Sequence, residues 1–213
     1  MTTQTKRPLN KTIVKSIGWI IMTLLAILLF IMVAPYLTGN PAFFFEEQRV
    51  VYIAHTTGIV VHVGGAMLAI LIGPFQFLPK SITRRYLNLH RWMGRIYLMA
   101  VFVGSIAGLY MATFAYGGFS TRVGFALLAI SWFVSGFMAY KRIRAREIQP
   151  HRQWMIRNYA LTFAGVTLRL WVIMMSVAGI EFLDAYRTVA WLCWVPNLIF
   201  AEWIVNRIRS GSK

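Results

Sequence analysis

The sequence predicts an all-α fold, a polytopic membrane helix bundle with about six transmembrane helices in one integral membrane domain over residues 1–213. Apolar residues make up 58% of the chain and charged residues 13%, which is about half the charged share of a soluble domain. Several apolar runs reach the roughly 20 residues that cross a hydrocarbon core. Basic residues gather in every second connection between these runs, a pattern typical of membrane proteins.

Six apolar segments meet the length of a transmembrane helix. Pro, Gly, Asn or clustered charges separate them, as turns require. Each segment should be helical, because lipid offers the backbone no hydrogen-bond partners. Pro196 predicts a kink in the last segment. The predicted spans cover residues 16–37, 50–78, 91–116, 121–140, 154–179 and 186–206.

The charges predict the topology. The chain has 22 basic and 6 acidic residues, and such an excess in a soluble protein would suggest nucleic-acid binding. Here the bases lie between apolar runs instead, so we expect membrane lipids and no nucleic acid as partners. The positive-inside rule then places both termini and the even-numbered connections in the cytoplasm, in a multi-pass protein of the cell inner membrane. The bases are Lys6, Arg7, Lys11 and Lys15 at the N-terminus, Lys80, Arg84, Arg85 and Arg91 in the second connection, Lys141, Arg142, Arg144, Arg146 and Arg152 in the fourth, and Arg207, Arg209 and Lys213 in the tail.

An internal repeat relates spans three and four to spans five and six. The segment HRWMGRIY at His90–Tyr97 reappears, with one extra residue, as HRQWMIRNY at His151–Tyr159. Both copies open a helix on the predicted cytoplasmic side, so the two helical hairpins run parallel. Duplicated units in membrane proteins often hold a site where they meet.

His90 and His151 are equivalent in the repeat and lie at one depth on different helices. Histidines on facing helices hold b-type haem, one on each side of the iron. His90 and His151 are therefore candidate iron ligands, with Arg95 and Arg157 as candidate partners of the propionates. Alternatively, the two histidines anchor helix ends among lipid headgroups and the arginines contact phosphates. A contact to another metal or to a quinone is a third interpretation.

Arg169 lies well inside the fifth predicted span, where a charge is costly and marks a functional site by default. At ~1.5 Å per residue, Arg169, His62 and Asn197 lie about 14, 18 and 16 Å below the outer surface. No carboxylate shares this depth. The three residues are therefore a candidate ligand site for a small anionic or lipidic molecule. Alternatively, backbone carbonyls and Asn197 satisfy Arg169, which then joins helices five and six.

Other residues are given structural roles. Glu202 should pair with an arginine near the cytoplasmic end of the last span. Small residues at Gly65 and Gly104 predict close helix packing. The single cysteine, Cys193, excludes an internal disulfide. The sequence shows no nucleophile–base pair and no phosphate-cradling loop, so we expect no hydrolase activity.

From about His62 to Glu202 the chain resembles a bacterial family of predicted membrane proteins, domain of unknown function 2306. The resemblance implies an integral membrane protein without an established activity. It rests on His62 with Gly65, Gly73-Pro74-Phe75-Gln76-Phe77, His90-Arg91 with Gly94-Arg95 and Tyr97, His151-Arg152 with Trp154-Met155-Ile156-Arg157, Leu168-Arg169, and Trp194-Val195-Pro196-Asn197.

The chain is also similar to the cytochrome b561 class, in which haem ligands pair between alternate helices. That resemblance implies that His90 on span three meets His151 on span five. Span four has no histidine to pair with His62, so one haem on the cytoplasmic side is expected. The similarity rests on the order His62, Gln76, Pro79, His90, Gly94 and Arg95.

Two functional hypotheses follow. The first is b-haem binding or quinone-linked electron transfer, with the haem between His90 and His151 and a candidate quinone or redox partner. The second is a non-enzymatic binder or transporter that uses the polar layer around Arg169. Whether the protein is an enzyme stays open at this point.

Overall fold

The structure is a computed structural model that describes residues 9–210 and, within them, all side chains except those of residues 9–15, 80, 81 and 84. The described residues form α-helices and short 3-10 turns and contain no strand. The α-helices are α1 Leu9–Val33, α2 Arg49–Ala54, α3 Thr56–Gln76, α4 Lys80–Arg85, α5 Leu87–Ala112, α6 Phe119–Arg144, α7 Ile148–Thr162, α8 Ala164–Val177, α9 Phe182–Leu192 and α10 Val195–Ser210.

Six helical stretches of the described chain are long and apolar enough to cross a membrane, which confirms the predicted fold class. The predicted bases Lys6, Arg7 and Lys213 lie outside the described residues. We call the end of the bundle with connections one, three and five the acidic end, and the opposite end the basic end. The spans are Ser16–Thr38, Thr56–Gln76, Leu87–Ala112, Phe119–Arg144, Ile148–Val177 and Phe182–Ser210.

Several span boundaries differ from the prediction, including the starts of the fifth and sixth spans at Ile148 and Phe182. The second span begins at Thr56 rather than at residue 50, because the chain turns at His55 (φ −124°, ψ 38°) and leaves α2 as a separate short helix. The third span begins at Leu87, four residues earlier than predicted. The fourth continues to Arg144, since basic side chains in a last turn favour the negative end of the helix dipole.

The last two spans are each divided into two helices. In span six, Pro196 has no N–H to donate to the carbonyl of Leu192, and the helix breaks at residues 193–194. The predicted kink is thus confirmed as a break. Span five breaks at Phe163, directly after Thr162, whose hydroxyl donates to the carbonyl of Asn158 at 3.0 Å. Such back-bonding to the preceding turn bends helices.

A ring of four helices forms the centre of the bundle. Helix α3 packs against α5 and α7, and α6 packs against the same two helices, so α5 and α7 face each other diagonally. A Cβ at Gly65 would lie 2.8 Å from Gly104 Cα. The backbones of α3 and α5 therefore touch, which confirms the close packing predicted from their small residues. The remaining long helices pack around this ring: α1 on α3, α9 on α6, and α10 on α7.

Gly73 and Pro74 together dock α7 on α3. A Cβ at Gly73 would collide with the ring of Tyr159. Pro74 has no N–H, so the carbonyl of Ile70, four residues earlier, loses its helical partner. The hydroxyl of Tyr159 donates to this carbonyl at 3.3 Å. Gly73 thus leaves room for the ring of Tyr159, and Pro74 leaves the Ile70 carbonyl free to accept its hydroxyl.

Large apolar side chains cover much of the outside of the bundle, among them Leu24 on α1, Ile106 on α5 and Ile199 on α10. Their exposed fractions are 61%, 62% and 66%. A water-soluble surface does not carry such a continuous apolar cover. The protein therefore contacts membrane lipids along its spans.

Candidate functional sites in the bundle

A fully bonded polar network occupies the interior of the ring. The hydroxyl of Tyr97 on α5 donates to Oδ1 of Asn158 on α7 at 2.6 Å and lies 3.0 Å from Oγ1 of Thr162. Asn158 Nδ2 donates to the carbonyl of Trp132 and to the hydroxyl of Ser135 on α6. Tyr97 and Asn158 have no solvent exposure. Because each buried polar group has a partner, this network holds α5, α6 and α7 together.

The two predicted haem ligands lie two helical turns from this network, toward the basic end. His90 precedes Tyr97 by seven residues, and His151 precedes Asn158 by seven. Residues seven apart share a helix face, so each histidine lies on the face that its helix turns to the other. His151 is within electrostatic range of His90. Nδ1 of His151 is 2.8 Å from the carbonyl of Ala139 on α6, which leaves Nε2 free.

Gln76, at the basic end of α3, has a buried amide nitrogen with no hydrogen-bond partner among the described residues. Its Oε1 would lie 3.4 Å from a Cβ at Gly94, one turn after His90 on α5. A buried donor without an acceptor is costly. Gln76 therefore lies near the His90 end of α5 with an unused hydrogen-bond donor.

The two arginines of the repeat have different surroundings. Arg157 is 9% exposed and donates from Nε and Nη2 to both oxygens of Glu202, at 2.5 and 2.8 Å. This pair confirms the predicted partnership of Glu202 with an arginine. The guanidinium of Arg157 also lies 4.7 Å from the ring of Trp154. Arg95 is exposed and lies over the ring of Trp92, at 5.0 Å.

Arg169, on α8, lies within electrostatic range of three tyrosines and of His62. Its Nη1 donates to the carbonyl of Gly165, one turn earlier, at 2.9 Å. Its Nε and Nη2 have no hydrogen-bond partner among the described residues. No carboxylate is among its electrostatic partners. The tyrosines are Tyr36 at the end of span one, Tyr52 on α2 and Tyr186 on α9.

Of the residues predicted to share a layer, Arg169 is within electrostatic range of His62, whereas Asn197 bonds to other partners. His62 Nδ1 is 2.8 Å from the carbonyl of Gly104 on α5. Asn197 Nδ2 donates to the hydroxyl of Thr167 at 3.0 Å and to the carbonyl of Cys193 at 2.9 Å. Thr167 itself donates to the Cys193 carbonyl at 2.5 Å. Asn197 thus joins the two broken spans and does not bond to Arg169.

A short cap covers the acidic end next to Arg169. It runs over residues 34–48 as three 3-10 turns, and its Phe45 N–H donates to the hydroxyl of Tyr36 at 2.8 Å. Gln48, at the end of the cap, is 3% exposed. Its amide lies beside the hydroxyl of Tyr186, and its Oε1 is buried without a partner in the described part of the chain. We call Arg169, His62, Tyr36, Tyr52, Tyr186 and Gln48 the Arg169 cluster.

A lipid-facing groove of about 930 Å³ lies at the acidic ends of α3 and α5. Its polar lining includes His55 and Tyr110, whose Nδ1 and hydroxyl are 2.8 Å apart. The ring of His55 also stacks on Phe114 at 4.0 Å. His55 is thereby held outside the four-helix ring. Within the described part of the chain, no group of three His, Cys, Asp or Glu side chains is placed to hold a metal ion.

Sequence reasoning missed the polar residues of the interior and of the cap. Tyr97 and Asn158 carried a usable signal, since each follows a repeated histidine by seven residues. The tyrosines around Arg169 carried no such sequence signal, because they come from three separate elements. Gln48 lies in a connection where polar residues are ordinary.

No curated protein and no solved structure matches the chain. A family model described as predicted membrane protein (DUF2306) matches residues 59–205, from α3 into α10. The matched region contains both histidines of the repeat, Arg169 and the Arg157–Glu202 pair. The protein is a member of the DUF2306 family of predicted membrane proteins.

Proposed function

We propose that the protein is a membrane electron-transfer protein that binds one b-type haem between His90 and His151. One observation carries the proposal. Tyr97 and Asn158 are hydrogen-bonded across the ring, and each follows its histidine by seven residues. This spacing supports two imidazoles that face each other across the ring. Neighbouring helix axes lie 8–10 Å apart, so diagonal axes lie about 11–14 Å apart, enough for an iron between two imidazoles.

The chemistry of the nearby side chains fits this group. The bond from His151 Nδ1 to the Ala139 carbonyl orients the ring and leaves Nε2 as the ligand, an arrangement common for metal-binding histidines. Gln76 offers an unpaired buried amide nearby. A bis-histidine haem, when bound, supplies reversible one-electron transfer.

The two arginines would have different roles at this site. Arg157 already has a carboxylate partner in Glu202, so its role is to fix the end of α7 against α10. Arg95 is exposed and makes no ion pair with a described residue. It is the better candidate to contact a propionate at the basic end.

The proposal also includes the direction of the protein in the membrane. The basic end carries Lys141, Arg142 and Arg144 on α6, which supports its placement in the cytoplasm of a cell with an inner membrane. A quinone or a soluble redox protein would exchange electrons with the site.

The test is spectroscopic. Protein expressed with added haem precursor and purified in mild detergent should show a Soret band that shifts on reduction with dithionite. His90→Ala and His151→Ala should each abolish the low-spin spectrum. His55→Ala is the matched control, because His55 lies outside the ring, and it should leave the spectrum unchanged. A colourless wild-type protein that also binds no added hemin, or a spectrum that survives both ring substitutions, would overturn the proposal.

A further inference from the structure

The Arg169 cluster presents a guanidinium with an unused binding edge. Nη1 of Arg169 is occupied by the Gly165 carbonyl, whereas Nε and Nη2 have no described partner. These two nitrogens form the side of the guanidinium that binds an oxyanion through two parallel hydrogen bonds. Arg169 is partly buried within a membrane-spanning stretch, where a cation without a carboxylate is costly, so this edge indicates an anionic ligand.

The chain provides no internal anion for this position. It has six acidic residues. Three of them pair elsewhere, with Arg142, Arg157 and Arg187. The other three are Glu46, Glu47 and Glu181, and none is an electrostatic partner of Arg169. None of the described carboxylates balances Arg169, which leaves its free edge available to an anion from outside the chain.

The cluster also contains an acceptor that needs a donor. Gln48 is 3% exposed, and no described residue donates a hydrogen bond to its Oε1. Tyr186 connects the two features, since its hydroxyl lies beside the Gln48 amide and within electrostatic range of Arg169. A fully deprotonated anion such as sulfate could satisfy the guanidinium but would leave the Gln48 oxygen unpaired. A ligand with both an anionic oxygen and an O–H group satisfies both.

The tyrosines of the cluster add hydroxyl donors for an anionic ligand. Burial raises the pKa of Tyr52 well above that of a free phenol, so its hydroxyl is protonated and can donate. The rings of Tyr36 and Tyr52 are 6.2 Å apart and pack with Phe44 of the cap. Tyr36 and Tyr52 are thus half-buried by aromatic packing, and hydrogen bonds to an anion are stronger in such surroundings than in bulk solvent.

We propose that the Arg169 cluster binds a hydrogen phosphate group that enters from the acidic end, with its ionised oxygens on Arg169 and its O–H donated to Gln48. The group belongs either to inorganic phosphate or to the headgroup of a phosphate monoester lipid. This site is at the end of the bundle opposite to His90 and His151. It is independent of the haem proposal.

The first experiment measures binding of inorganic phosphate to the full-length protein in phosphatidylcholine nanodiscs at pH 7. Isothermal titration should detect phosphate binding, with sulfate at least tenfold weaker and chloride without effect at equal ionic strength. Arg169→Leu should abolish phosphate binding. Arg122→Gln is the matched control, since Arg122 is an exposed arginine at the same end, and it should bind as the wild type does.

Two further variants test the role of the hydroxyl and its acceptor. Gln48→Leu should weaken phosphate binding and remove the preference over sulfate, because sulfate never used the Gln48 oxygen. Tyr186→Phe keeps the ring and removes one donor, so it should weaken phosphate and sulfate to a similar degree. If Gln48→Leu does not fold, Gln48→Met replaces it as a variant of nearly equal volume.

The source of the phosphate is distinguished with nanodiscs that contain phosphatidic acid. If phosphatidic acid blocks phosphate binding in the wild type but not in Arg122→Gln, it acts through Arg122 rather than through the Arg169 cluster. A lipid headgroup is then not the ligand of the cluster. If phosphatidic acid prevents binding in both, the ligand is a lipid headgroup; if it prevents binding in neither, the ligand is soluble phosphate. The proposal is overturned if neither probe binds, if sulfate binds as well as phosphate, or if binding survives in Arg169→Leu.

Discussion

The hydroxyl of Tyr97 donates a 2.6 Å hydrogen bond to Oδ1 of Asn158 and so connects α5 to α7 across the interior of the ring. Both residues have no solvent exposure. Tyr97→Phe removes the donor and leaves the Asn158 oxygen with one partner fewer, which should lower the free energy of unfolding by about 1–3 kcal/mol. The thermal midpoint in detergent measures the loss.

Tyr140→Phe serves as the control for this substitution. Tyr140 is 44% exposed on α6, and its hydroxyl makes no hydrogen bond to a described residue. Its loss should leave the midpoint unchanged. Equal midpoints for the two variants would show that the buried hydroxyl adds nothing to stability.

Gly73→Ala should destabilise the bundle, because its new Cβ would collide with the ring of Tyr159. Overpacking of this kind costs about 1–3 kcal/mol. Gly18→Ala is the control, since a Cβ there meets nothing within 4 Å. If the collision is the cause, Gly73→Ala should have little effect in a Tyr159→Leu background. A penalty that is the same in both backgrounds would contradict this explanation.

Glu202→Gln should destabilise the protein more than Glu147→Gln. The first substitution leaves the guanidinium of Arg157, whose side chain is 11% exposed, without the carboxylate of Glu202, which is 43% exposed, at a cost of about 1–2 kcal/mol after solvent screening. The second disrupts the pair with Arg142, whose side chains are 38% and 42% exposed, at a cost of about 0–1 kcal/mol. Denaturation midpoints compare the two, and the reverse order would refute the assignment.

Reporter fusions test the direction of the protein in the membrane. The positive-inside rule predicts that fusions near Asn40, Gly118 and Asp184, all at the acidic end, lie outside the cytoplasm. Alkaline phosphatase should be active at all three positions, and green fluorescent protein should be dark. A fusion at Asp184 that fluoresces would reverse the predicted orientation.

The number of spans was readable from the sequence because hydropathy and charge act along the chain. Approximate depth follows from position along the chain in the same way, and Arg169 is within electrostatic range of His62. The direction in which each side chain points could not be predicted from the sequence. Asn197 shares the predicted depth of Arg169, yet it bonds to Thr167 and the Cys193 carbonyl. Rotation of a helix is set by packing against its neighbours, which a depth calculation does not include.

The breaks within spans five and six were only partly predictable. Pro196 marked one of them, because a missing N–H is a property of a single residue. The break at Phe163 depends instead on the hydroxyl of Thr162, which bonds within its own helix and also accepts from Trp132 at 2.8 Å. A threonine alone does not specify which of these bonds forms.

The bond from Tyr159 to the Ile70 carbonyl has a consequence for biosynthesis. Its two residues are 89 positions apart, so the second span enters the bilayer long before the fifth has been made. Until then the carbonyl that Pro74 leaves free has no tyrosine to pair with, and water or a lipid headgroup must serve in its place. The membrane-inserted N-terminal half is therefore an incomplete intermediate, and arrival of the fifth span completes the hydrogen bonding of the second.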